Sequence, residues 1–116
     1  MPTTDTRTNS GVQQKEIGFR FPGDVLSTTA EDLRASLDQL LQSPAALAGS
    51  FQYFDADLRA ARMVDSVGLN LLVWLWRVVT ARGGRLRLRI SSSDIDRTFR
   101  FTRLSDRAEV ELDAAS

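Results

Sequence analysis

The chain has 116 residues, with 15 Lys+Arg against 15 Asp+Glu and neither cysteine nor histidine. That length suits one domain with its own core, and zero formal charge gives no overall field drawing it to nucleic acid or a membrane. Without Cys there is no disulfide, thiol nucleophile or thiolate metal site, and without His the usual neutral-pH base and metal ligand are missing, so no cofactor, metal or catalytic group is expected.

The first ten residues, MPTTDTRTNS, are polar and lack a signal-peptide core. Residues 1–12 are expected to form a flexible tail or a weak first strand, and 13–113 the folded domain. Glu16 to Phe21 alternates, setting Ile17, Phe19 and Phe21 on one face of a strand that Pro22-Gly23-Asp24 ends. Thr28-Thr29-Ala30-Glu31 has capping-box spacing, and Ala30, Leu33, Leu37, Leu40 and Leu41 recur at helical intervals. The spacing predicts a helix over 28–42 that stops at Ser43-Pro44. Pro44 to Ser50 reads as a small-residue loop, Phe51 to Leu58 as a strand, and Met63-Val64 as a second short apolar element.

From Ser66 to Arg82 the pattern is helical, and Gly83-Gly84 ends it. Leu69, Leu72, Val73, Trp76 and either Val79 or Thr80 form one stripe, expected to face the sheet. That leaves Leu71, Trp74, Leu75 and Val78 either under a neighbouring helix or on an exposed, partner-binding patch. The apolar run over 69–79 is broken by Asn70 and Arg77 and falls short of the roughly 20 residues that span a bilayer. No membrane insertion is expected, and a cytoplasmic location follows as an expectation. Leu86, Leu88 and Ile90 alternate with Arg85, Arg87 and Arg89 in a half-buried strand. Ser91 to Ser93 caps a third helix carrying Ile95, Thr98, Phe99 and either Thr102 or Phe101, and Ala108 to Leu112 makes a last short strand. Strands alternating with helices define an α/β domain, a mixed sheet of four or five strands with helices mainly on one side.

Three charged groupings invite chemistry. The Arg-rich C-terminal third is interleaved with Asp94, Asp96, Asp106, Glu109, Glu111 and Asp113 and has sparse aromatic platforms, so it reads as a solvated face and not a nucleic-acid site. Asp55 and Asp57 share one face of a strand, a weak hydrolase hint in the absence of a pocket. Asp65-Ser66-Val67-Gly68 lies where a strand pattern becomes a helix pattern. One reading is a plain N-cap followed by a small residue for close packing. The other has Ser66 projecting as a phosphoryl acceptor at a helix N-terminus, where free N–H groups and the positive dipole end tolerate an anion.

The segment Ala56-Asp57-Leu58-Arg59-Ala60-Ala61-Arg62-Met63-Val64-Asp65-Ser66-Val67-Gly68-Leu69 resembles the central signature of the STAS domain, a family that includes the bacterial anti-sigma factor antagonists. Phe19-Arg20-Phe21-Pro22-Gly23-Asp24-Val25 resembles the family's strand ending in Gly-Glu-Leu-Asp. Gly83-Gly84-Arg85-Leu86 resembles its Gly-Gly strand start, and Ile95, Phe99 and Leu104 its penultimate helix. The resemblance implies a binding module, with Ser66 as the residue a partner kinase phosphorylates and Asp24, Asp65, Ser66, Val67 and Gly68 at the partner site. It also implies the partners, an anti-sigma factor serine kinase and a serine phosphatase. Two alternatives stay open: a STAS subunit docking on the ATPase of a lipid-transporting ABC complex, and a protomer of a stress-sensing scaffold. Val67 stands where the family has a second serine, and Leu26 where its turn has an acid.

Overall fold

A computed structural model describes residues 16–47 and 51–113. The elements, in chain order, are β1 (Glu16–Arg20), α1 (Ala30–Leu41), the single turn α2 (Pro44–Leu47), β2 (Tyr53–Leu58), α3 (Ser66–Ala81), β3 (Arg85–Ile90), α4 (Ser93–Phe101), a 3-10 turn (Leu104–Asp106) and β4 (Glu109–Leu112). The strands form one sheet in the order β1-β2-β3-β4, and all three pairings are parallel. Any antiparallel member of a mixed sheet is therefore not among the described residues, and the possible first strand in 1–12 lies outside them.

Parallel neighbours need crossover helices, and crossovers of one hand along a monotonic strand order set successive helices on one face. The residues match that geometry. Phe54, Ala56 and Leu58, and Leu86, Leu88 and Ile90, join Leu33, Leu37 and Leu41 of α1, Leu72, Leu75 and Val79 of α3, and Ile95 and Phe99 of α4 in one core. Each fully buried Leu or Phe contributes about 1.5–3 kcal/mol. The opposite face carries Asp55 and Asp57, Arg85 to Arg89 at alternate positions, and Glu109 and Glu111.

Local signals explain most boundaries. Ser92 caps α4 by accepting from the Ile95 N–H at 3.3 Å. Gly83 takes φ 84° after α3, a conformation that ends a helix at little strain only in glycine. Pro44 opens α2 within the expected loop, its fixed φ suiting a first helical position. The capping box at Thr28 does not form, because Thr29 becomes the N-cap and makes no side-chain cap bond. Its hydroxyl instead accepts from the Leu26 N–H and donates to the Asp24 carbonyl, bracing the preceding turn.

The buried face of helix α3 is rotated from its expected stripe. Leu71, Leu72, Leu75 and Val79 are buried, while Leu69, Val73, Trp74, Trp76 and Val78 are partly so. As the central helix it meets the sheet below and α1 beside it. The expected partner-facing positions Leu71 and Leu75 are core residues, and that expectation is corrected.

Candidate functional site

The chain after β2 turns at Arg59 to Asp65 and enters α3, while the chain after β1 turns at Pro22 to Thr29 and enters α1. The two turns are laced together. Val25 and Val64 form a one-residue parallel bridge, with the Val25 N–H donating to the Met63 carbonyl at 3.0 Å and the Asp65 N–H to the Val25 carbonyl at 3.2 Å. Asp24 Oδ1 accepts from the backbone N–H of Arg62 at 2.7 Å and of Met63 at 3.2 Å. In return, Asp65 Oδ2 accepts from the Ser27 N–H at 2.8 Å. Each turn supplies the carboxylate that satisfies the other's backbone.

Asp65 is also the N-cap of α3, its Oδ1 accepting from the Gly68 N–H at 2.8 Å. The bonds from Gly68, and next those from Ser27, hold its carboxyl below the usual carboxylate range. Asp65 therefore stays ionised and anchors the corner. The same bonds lower its basicity and make it a weak base toward the neighbouring hydroxyl. Gly68 sits against Val25, where a Cβ would come within 1.9 Å of the carbonyl oxygen. The glycine is what lets α3 begin pressed onto the first turn.

Ser66 is the first helical residue of α3 and is exposed. Val67 beside it is 44% exposed and Met63, three residues before it, 61%. Asp24, Asp65, Ser66, Val67 and Gly68 thus converge on one corner, with Asp24, Asp65 and Gly68 shaping it and Ser66 and Val67 facing outward. Trp74 lies two turns down α3, half-buried, with the Arg34 guanidinium 4.4 Å from its ring centroid. The side chains of Leu71 and Leu75 do not reach the surface. Val25, Ser27 and Met63 join the corner without having been singled out in the sequence. Ser27 and Asp65 are 38 residues apart, a separation no local periodicity encodes, and the exposure of Met63 carries no sequence signal either.

The charged groupings on the sheet are largely paired with one another. Asp57 accepts two bonds from the Arg59 side chain at 3.0 and 2.9 Å, and Asp55 accepts from Arg87 at 3.2 Å. Arg87 and Arg89 of β3 lie opposite acids on both neighbouring strands. Among the described residues no cluster of acids could hold a metal ion, and no helix is long and apolar enough to cross a membrane.

The sequence matches the STAS domain family over residues 4–115, and the chain belongs to that family. Among solved structures, a sulfate transporter family protein from Wolinella succinogenes is similar, with TM-score 0.65 and 20% identity over 88% of this chain and 80% of that one. The anti-sigma factor antagonist SpoIIAA in its unphosphorylated form is also similar, with TM-score 0.59 and 19% identity over 92% of this chain and 86% of its own. At such identities both likenesses concern the fold. A comparison with curated proteins finds no match.

Proposed function

We propose that the protein is an anti-sigma factor antagonist, a cytoplasmic binding module switched by phosphorylation of Ser66. The observation that carries this reading is the exposed Ser66 hydroxyl at the first position of α3, on a corner whose backbone is braced from two sides. Unphosphorylated, the module binds a serine-kinase anti-sigma factor and frees the sigma factor. Ser66 and Val67 face the partner, Met63 adds apolar surface beside them, and Trp74 borders the contact. Asp24, Asp65 and Gly68 hold the geometry.

Transfer of the γ-phosphoryl group from ATP to the Ser66 oxygen, with loss of its proton, adds a charge of about −2. The helix N-terminus accommodates that charge within the folded module. A partner seated on Met63 and Val67 cannot accommodate it, because a charge buried against apolar surface is strongly disfavoured. Hydrolysis by a serine phosphatase restores the hydroxyl. The module is the substrate of both enzymes and supplies no catalytic group.

The test is incubation with the anti-sigma factor kinase of the same genome and ATP, followed by phosphosite mapping. One phosphate on Ser66, absent from Ser66→Ala, is the expected result. An unmodified Ser66, together with a Ser66→Ala variant that releases sigma factor and is inactivated by ATP like the wild type, would overturn the reading.

A further inference from the structure

The helix-free face of the sheet is built in ranks. Opposite residues follow Asp55, Arg87 and Glu109 in one row, and Asp57, Arg89 and Glu111 in the next, with Arg20 beyond Asp57. Charge alternates strand by strand, and ion pairs tie the rows internally and to one another: Arg87 reaches Asp55 in its own row at 3.2 Å and, diagonally, Glu111 at 3.5 Å, as Arg85 reaches Glu109 at 3.1 Å. The pattern stops on an acidic strand. Glu109 and Glu111 each have one strand of arginines on the β3 side, and among the described residues no strand pairs with the far side of β4.

That far side is also an open backbone edge. The Asp113 N–H donates to the Ile90 carbonyl at 2.7 Å. By alternation, Glu109 and Glu111 turn their backbone groups toward β3, and Val110 and Leu112 turn theirs outward. Leu112 is 44% exposed, and a hollow of about 990 Å³ lined by Trp76, Leu86, Asp96, Arg100 and Val110 opens beside the strand. We infer that the β4 edge takes up an extended segment of a partner protein, with Lys or Arg at alternate positions and apolar residues between them. Its backbone pairs with Val110 and Leu112, its cations continue the charge ranks against Glu109 and Glu111, and its apolar side chains lie on the Leu112 side. A second copy of this chain is the wrong occupant, because two antiparallel β4 strands would set Glu109 opposite Glu111 and oppose like charges.

The test uses the full chain, nitrogen-15 labelled, titrated with a capped peptide of alternating lysine and valine. Controls are the glutamate–valine counterpart and a block-sequence peptide of the same lysine–valine composition. The expected result is saturable amide shifts confined to the region of Ala108 to Asp113 for the alternating basic peptide alone. Val110→Pro, which removes an outward donor and no bond to β3, should abolish them while the remaining amides stay in place. Glu109→Gln with Glu111→Gln keeps the side-chain shape, and this double variant should bind roughly tenfold more weakly. Absence of shifts at β4, equal binding of the block-sequence peptide, or β4 shifts that appear with protein concentration and no peptide, as self-association would give, would each overturn the inference.

Discussion

Asp57 shows how a single side chain ties the sheet to the turn that follows it. The Arg59 side chain, hydrogen-bonded to both carboxylate oxygens, holds Asp57 down to about 2. Its folded value lies below the ordinary value of roughly 4. Its contribution to stability is thus complete above about pH 4 and is lost as pH falls toward 2. Asp57→Asn should flatten the acid limb of a stability profile measured by urea unfolding, and Arg59→Gln should return the Asp57 titration, followed by NMR, toward the ordinary range. Gly68 has the sharper steric demand. An added Cβ meets the Val25 carbonyl carbon at 2.7 Å as well as its oxygen, so Gly68→Ala should destabilise by about 1–3 kcal/mol in denaturant unfolding. The capping role of Asp65 was legible from its place before a helical run. Its hold on Ser27 was not, because that bond joins two turns that only the β1–β2 pairing brings together.

Among the elements, α3 was the easiest to find and the hardest to orient. Its ends were legible from Asp65 and from Gly83-Gly84, but ten of its side chains are apolar and large, and the stripe that periodicity pointed to holds only two fully buried residues, Leu72 and Val79. The fold decides it: α3 touches both the sheet and α1, so Leu71 and Leu75 fall inside and Trp74 lies at the margin under Arg34. Leu75→Ala should therefore destabilise by about 2–5 kcal/mol, the range for a buried leucine. Trp74→Ala should do so by about 2 kcal/mol, near half the effect of a core tryptophan. Equal and negligible effects of both in thermal melts would show that the helix face has been misassigned. In α4 the spacing left the last position of the stripe open between Thr102 and Phe101, and the fold settles it: Ile95 and Phe99 are the helix's buried positions, while Phe101 is 89% exposed.

At the scale of the whole molecule, the parallel sheet with helices on one face gives the protein two unlike surfaces. One is a lattice of alternating charge that ends on the acidic strand β4, legible in the alternation of Arg85, Arg87 and Arg89, although its pairing with Asp55, Glu109 and Glu111 required the strand register. The other is the corner where two turns brace the start of α3 and present Ser66. The family match over residues 4–115 gives that corner its context, and the corner's own geometry supports the switch. The most direct test is calorimetric titration of the anti-sigma factor kinase with the protein prepared unmodified and with phosphate installed on Ser66. The account predicts tight binding of the unmodified form and an affinity at least about a hundredfold lower with the phosphate, as expected for an uncompensated charge in a contact. Equal affinity of the two forms would contradict it.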